Sequence, residues 1–303
     1  MAPIEVTYFS DPGCPWAYSV NPALAVLRWR YGDQLAWRLA VIGLTERAEQ
    51  DVERGYTPAL SARGYVRFRR YGMPFATEPR PRMVATARAC RAIVATRLDN
   101  PEREFDVFRA LQFAWFTTPL VLDEADQIAI ALQPVPGLDV NAVIARLDDP
   151  DVTEAYERDR VEARAAAGSA TELQGKAVQT DGPVRYTAPS LIFRAADARL
   201  EAGGFQTIEA YDVLVANLDP TLERADAPDD PLPVLERFPG GLTTQEIAAV
   251  MTRGNERPDP AAAEAALIEL VAGGAATRTP LGNDALWGPR ASRTAAAPVP
   301  RAA

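Results

Sequence analysis

Within its first 42 residues the chain sets out a strand, a helix and a second strand, and that order limits the folds open to it. Residues 4–9 alternate apolar and polar side chains, and Ile4–Ser10 reads as a strand. The segment Asp11-Pro12-Gly13-Cys14-Pro15-Trp16 follows. A helical pattern then runs over about 17–30, and Tyr31-Gly32-Asp33 stops it. Residues 35–42 alternate in part and read as a second strand. Two strands joined through a helix imply a parallel pair with a right-handed crossover.

From Thr45 to Gly175 the pattern is mostly helical, with segments over 81–98, 103–117, 123–132 and 152–167. Pro183 to Pro189 then leads into a strand at 190–193, a second strand at 200–202 and a last helix at 207–218. A β-α-β start and a β-β-α finish make the thioredoxin plan. The reading is an α/β thioredoxin-like domain over 1–224, with core segments at about 1–44 and 180–224 and a helical insertion at about 45–179. Residues 225–230 are rich in Asp and Pro and read as a linker. Beyond them come helices at 233–238, 243–252 and 259–272 and a hairpin at 275–287. Three helices and a hairpin suggest a small winged-helix-like domain over 231–290. Thr243 or Thr244 is placed to cap its second helix, with Glu246 near the capping-box position. The tail 291–303 is Ala, Pro and Arg and is expected to be disordered.

Cys14 stands where a strand ends and a helix begins. The N–H groups and dipole of such a helix stabilise a thiolate, so a lowered pKa and a nucleophilic sulfur are expected there. Pro15 suits the first helical turn, because its missing N–H has no partner to lose and its φ is already helical. Trp16 is expected to shield one side of the sulfur. Cys90 lies in an Ala-rich helix and reads as a small core residue rather than a resolving thiol. Arg63, Arg67, Arg69, Arg70, Arg80, Arg82, Arg88 and Arg91 make the early insertion basic. They suit carboxylate binding if that block roofs the site, and solvated helix faces paired with acids otherwise. The aromatics between Phe105 and Phe116 read chiefly as core.

The segment from Asp11 through Tyr18 resembles the active-site segment of the DsbA-like oxidoreductases, in particular the FrnE and 2-hydroxychromene-2-carboxylate isomerase-like branch. Three further stretches agree in the same order. Residues 113–123 resemble the aromatic segment of that family's helical insert, Thr187-Ala188-Pro189-Ser190 its cis-proline strand, and 203–211 the approach to its last helix. The resemblance spans residues 4–218 and implies Cys14 as the catalytic residue, supported by Pro15, Trp16 and Ala17. It further implies a cis Pro189 facing Cys14, with the backbone of Ala188 pairing with an extended peptide or a tripeptide-like thiol. The chain departs from the pattern at Ala17, where most such enzymes carry a second cysteine. Cys14 therefore has no neighbouring disulfide partner, and an external thiol must resolve any mixed disulfide it forms. In isomerase and kappa glutathione transferase relatives a serine at the reactive position activates bound glutathione, a part open to Cys14.

The remaining composition narrows the chemistry. The 303 residues hold no histidine and two cysteines, which excludes His-dependent triads, His-ligated zinc and a thiolate zinc cage. No metal site and no tightly bound cofactor is expected, and glutathione or mycothiol is the class of low-molecular-weight thiol co-substrate. A formal net charge of −9 disfavours nucleic acid and anionic membrane as partners. Residues 228–290 carry five arginines, no lysine and nine acids, the wrong balance for a DNA-reading winged helix. The N-terminus lacks a signal-peptide pattern and no apolar run is long enough to span a bilayer, so a cytoplasmic protein is expected. Homo-oligomerisation stays open. The expected function is single-cysteine thiol-disulfide oxidoreductase chemistry on a small thiol or disulfide substrate. The alternatives are a glutathione-type isomerase or transferase and a degenerate, non-catalytic interaction module.

Overall fold

The computed structural model of the protein describes residues 3–179, 182–196 and 198–290. The tail expected to be disordered, 291–303, lies outside the described residues. In chain order the first elements are β1 (Ile4–Ser10), α1 (Pro15–Ser19), α2 (Asn21–Tyr31) and β2 (Leu35–Val41). The insertion holds α3 (Glu49–Glu53), α4 (Pro58–Phe68), α5 (Ala87–Asp99), α6 (Glu104–Thr117), α7 (Ala125–Leu132), α8 (Val140–Ala145), α9 (Pro150–Ala163) and α10 (Ala170–Leu173). A two-residue pair, β3 (Ala177–Val178) and β4 (Arg185–Tyr186), precedes β5 (Ser190–Ala195), β6 (Ala198–Gly203) and α11 (Ile208–Leu218).

The central sheet has the order β2-β1-β5-β6. β1 pairs parallel with β2, from Ile4 opposite Leu35 to Ser10 opposite Val41, and antiparallel with β5. The β-α-β opening and β-β-α finish therefore meet on one strand. The alternation read in β1 does not mark a solvent face, because Val6, Thr7, Tyr8 and Phe9 are all buried. Helical layers cover both sides of the sheet, as a central strand in such a fold requires. Val6 and Tyr8 enter the large core with α2 and the insertion. Phe9 faces the other way and joins Ala40, Ile42, Tyr186 and Ile192 in a smaller cluster that contains Cys14.

Several boundaries differ from the sequence reading for identifiable reasons. The first helix is broken after Ser19, and α2 begins with Pro22 in its first turn. A proline there has no N–H for the preceding turn and its ring crowds the carbonyl four residues back. The helix expected over 81–98 starts only at Ala87. Residues before it are held out of helix by Asp123, which accepts from the Arg82 fork at 2.7 and 2.8 Å and from Ala85 N at 3.2 Å. α9 stops at Ala163 rather than 167, and Ala166 N then donates to Val184 O at 3.1 Å. Inside the block, Arg97 joins Asp159 at 2.8 Å and Glu104 at 2.5 Å, while Asp159 also accepts from Val41 N at 2.9 Å. That network ties α5, α6 and α9 to β2.

The C-terminal unit consists of α12 (Pro231–Arg237), β7 (Leu242–Thr243), α13 (Thr244–Met251), α14 (Pro260–Ala272), β8 (Ala276–Leu281) and β9 (Asp284–Pro289). Its three strands form a separate sheet in the order β7-β9-β8. Thr243 caps α13 in a complete capping box with Glu246. Trp287 is fully buried at its centre and donates through Nε1 to Thr244 Oγ1 at 2.8 Å. The unit has its own core, yet Ala25 and Val26 of α2 belong to it. The linker lies pinned along the same helix end: Trp29 Nε1 donates to Asp226 O at 2.8 Å and Ala225 N to Arg30 O at 2.9 Å.

A buried ion pair helps fasten the two parts. Arg109 of α6 forks onto Glu246 with both distances 2.6 Å and reaches Gly241 O at 3.1 Å. Removing one partner of a buried pair strands the other charge, which costs about 3–5 kcal/mol. Glu246→Ala is therefore expected to lower stability by about that amount in denaturant unfolding. Glu269→Ala on the exposed side of α14 should stay within about 0.5 kcal/mol of the parent.

Candidate functional site

The site is built where β1 ends. Asp11 is fully buried, and its carboxylate accepts from Gly13 N at 2.8 Å, Leu44 N at 2.9 Å and Thr86 Oγ1 at 2.9 Å. The Cys90 thiol donates to the same carboxylate at 3.6 Å. These bonds fix the loop before Cys14 against the end of β2 and the start of α5. Gly13 is required by space rather than by φ, because a Cβ there would lie 2.7 Å from Thr86 and 2.9 Å from the Trp115 ring. The sequence reading did not single out Asp11 or Thr86. The available signal was the Asp two residues before a Gly-Cys turn, a side chain suited to bonding its own downstream backbone.

Cys14 is the N-cap residue of α1, with Pro15 in the first turn. Its Sγ is 3.1 Å from the carbonyl oxygen of Ala188 and donates to it. The Ala188–Pro189 peptide is cis. The structure thus brings Cys14, Pro15, Ala188 and Pro189 together, although 174 positions separate the cysteine from Ala188. Trp16 is 39% exposed and edges onto Phe68 at 4.9 Å, with Tyr71 and Phe205 each 5.6 Å away. Ala17 is fully buried, and its carbonyl accepts from Tyr8 OH at 3.2 Å.

The expected activation of the thiol is not what this geometry provides. Cys14 is only 6% exposed, and burial pushes its pKa up to about 12, with the nearby Asp11 charge acting in the same direction. The backbone N–H groups of Ala17 and Trp16 and the charge of Arg185 oppose the shift without cancelling it. The helix behind those groups is five residues long, so little dipole accumulates. Desolvation of a thiolate outweighs a short helix. Asp11 itself is raised from its usual range by burial, against the four hydrogen bonds that favour its charged form.

Beside the cysteine lies an open cavity of about 520 Å³, walled by Gly13, Pro15, Trp16, Tyr65, Arg80 and Trp115 among others. Of the arginines singled out in the sequence, Arg80 and Arg82 reach it. Arg80 bonds Leu120 O at 2.9 Å, Tyr65 OH at 3.3 Å and Trp115 O, and Arg82 is forked onto Asp123. Arg88 and Arg91 instead pair with Asp148 at the surface, and Arg69 bonds Phe75 O. Arg54 and Arg185 line the cavity and were missed. Phe108, Phe113 and Phe116 are core, as read from the sequence, and Trp115 is both core and wall. Cys90 is fully buried in the core and both cysteines are free. Among the described residues no cluster of His, Cys, Asp or Glu could hold a metal ion, and no helix is long and apolar enough to cross a membrane.

No family model matches the sequence. The ClpXP adapter protein SpxH of Shouchella clausii (strain KSM-K16) is 23% identical over 264 residues, which is 85% of this chain and 80% of that protein. A probable DsbA oxidoreductase from Streptomyces coelicolor superposes with a TM-score of 0.54 and 18% identity, covering 74% of this chain and 94% of its own. The cytosolic disulfide reductase DsbM from Pseudomonas aeruginosa gives 0.51 and 15%, covering 72% of this chain and all of its own. The fold is that of the DsbA-like thioredoxin proteins. At these identities the likeness is one of fold, and the chemistry rests on the residues described above.

The raised thiol has a direct consequence. On a Cys90→Ser background, Cys14 alkylation by iodoacetamide should rise about tenfold per pH unit through pH 10 with no plateau. Asp11→Asn removes a charge that opposes the thiolate and should move the curve to lower pH. A plateau below pH 9 in the parent, read by mass spectrometry, would contradict the burial argument.

Proposed function

We propose that the protein is a thiol-disulfide exchange protein that works through one cysteine, Cys14, with an external low-molecular-weight thiol of the glutathione or mycothiol class. The observation that carries this reading is the 3.1 Å approach of Cys14 Sγ to Ala188 O across the cis Ala188–Pro189 peptide, at the edge of the arginine- and aromatic-walled cavity. A substrate strand laid on the Ala188 backbone competes for that carbonyl with its own N–H and releases the thiol to react. The Cys14 thiolate attacks one sulfur of the substrate disulfide. The S–S bond breaks, a mixed disulfide to Cys14 forms, and the other sulfur leaves as a thiolate that takes up the proton Cys14 gave up. The external thiolate then attacks the mixed disulfide, restores Cys14 and carries the remaining half away as a new disulfide. Ala17 supplies no internal thiol to complete the cycle, so the second half of the exchange depends on the added thiol. Arg54, Arg80, Arg82 and Arg185 put positive charge into the cavity wall, which favours the carboxylates of such a thiol. Exchange of this kind fits a reducing, cytoplasmic setting.

A second reading is favoured by the burial of the thiol itself. A sulfur held protonated under a backbone carbonyl is a weak nucleophile. The match to SpxH spans more residues than the 224 of the thioredoxin-like part, so it takes in some of the C-terminal unit as well. On this reading the chain is a non-catalytic module that holds a protein partner, and Cys14 fills a core position.

The two readings separate in one experiment. Protein carrying Cys90→Ser is incubated with glutathione disulfide at pH 7 and analysed intact by mass spectrometry. The exchange reading expects a glutathione adduct on Cys14 that excess glutathione removes. It also expects thiol-dependent reduction of a small disulfide that falls to background in Cys14→Ser. An unmodified Cys14 with undiminished stability in Cys14→Ser would leave the partner-holding module.

A further inference from the structure

A second cavity, of about 160 Å³, lies at the seam between α2, α6 and the C-terminal unit. Arg28, Arg109, Gln112 and the backbone of Gly240 and Gly241 are among its walls. Its charges do not balance locally. Arg109 is neutralised by Glu246 at 2.6 Å, Asp106 by Arg103 at 3.0 Å, and Arg237 by Asp33 at 3.3 Å. Arg28 is left over. Its guanidinium lies 4.8 Å from the centre of the Trp37 ring and 4.6 Å from that of Phe105. Among the described residues it has no hydrogen-bond acceptor and no carboxylate partner.

The neighbourhood is also short of acceptors. Gln112 is buried, and its Oε1 is occupied by Asn21 Nδ2 at 3.0 Å, while its Nε2 donors meet no acceptor. Arg109 Nε is buried without an acceptor as well. Buried donors left in this state cost stability. The same conditions hold Arg28 below its usual range, at about 10, through burial first and the charge of Arg109 second. A small negative group with several oxygen acceptors meets each of these demands.

We infer that this cavity is a binding site for a small oxyanion, held chiefly by Arg28, which clamps the C-terminal unit to α2 and α6. A cavity of about 160 Å³ has room for phosphate, sulfate or a short monocarboxylate. The guanidinium fork accepts a tetrahedral or planar oxygen face equally well. Because the walls come from both parts of the chain, an anion bound there stabilises the docked arrangement by mass action. This site is separate from Cys14 and stands whether or not the exchange reading does.

The test is a thermal melt of the full chain at constant ionic strength, with chloride replaced stepwise by phosphate, sulfate or acetate. At least one oxyanion should raise Tm saturably by about 2–4 °C. The rise should vanish in Arg28→Met and persist in part in Arg28→Lys. The anion that acts at the lowest concentration tells an inorganic tetrahedral ligand from a carboxylate. Line broadening of the phosphate ³¹P resonance, or of the acetate methyl resonance, on titration with unsubstituted protein gives a reading that needs no variant to fold. A Tm that follows ionic strength alone, an equal rise in Arg28→Met, or the absence of saturable broadening for both anions would overturn the inference and leave Arg28 as a stacked, hydrated cation.

Discussion

The buried carboxylate of Asp11 is the constraint from which the rest of the site follows. One side chain binds the turn before Cys14, the chain leaving β2 and the first residue ahead of α5. Thr45 and Thr86 reinforce that junction, with Thr45 N donating to Thr86 Oγ1 at 3.2 Å and Thr86 N to Thr45 O at 3.0 Å. The helical insertion is thereby fastened to the thioredoxin-like core at the point where the cysteine emerges. A buried carboxylate with its acceptors filled holds geometry well, and its charge also disfavours a thiolate next to it. The same group therefore orders the site and restrains its reactivity.

That restraint sets the physical problem for any chemistry at Cys14. Buried at 6% exposure, the thiol is kept neutral and hydrogen-bonded to Ala188 O, and a five-residue helix offers few dipoles to offset desolvation. Reactivity then depends on what a substrate does on arrival: whether it takes the Ala188 carbonyl, brings positive charge, or admits water. The cavity next to Cys14 supplies the room, while Trp16, Phe68, Tyr71 and Phe205 form an aromatic lip at its edge. A partner-holding role would use the same lip and the same backbone rail without the bond-breaking step.

The C-terminal unit is joined to the rest by more than a linker. α2 is used on two sides, with Leu24 and Leu27 in the large core and Ala25 and Val26 in the smaller one. The Arg109–Glu246 fork crosses the same seam, and Phe75 N donates to Asn283 Oδ1 at 2.7 Å from the hairpin turn. Gly72 is pressed by Gln245, where a Cβ would come within 2.4 Å. These contacts explain why the sequence suggested a separate domain and could not show how closely it packs. A helix buried on opposite sides has no clear polar stripe, so its pattern does not say that two different cores claim it.

By itself the sequence determined the features that near neighbours control. The β-α-β opening, Pro15 after Cys14, the Thr243–Glu246 cap and the strand after Pro189 were all legible, because periodicity and capping act over a few residues. It also carried, through resemblance, the pairing of Cys14 with Ala188 and Pro189. Only the tertiary structure decided how buried Cys14 is, which groups Asp11 holds, that two cores claim α2 and which arginine of the seam cavity is left without an acid. Those properties are set by segments 33 to 174 positions away, such as Leu44, Thr86 and Ala188. Desolvation and charge balance depend on everything that covers a group, and no local pattern records what will come to cover it.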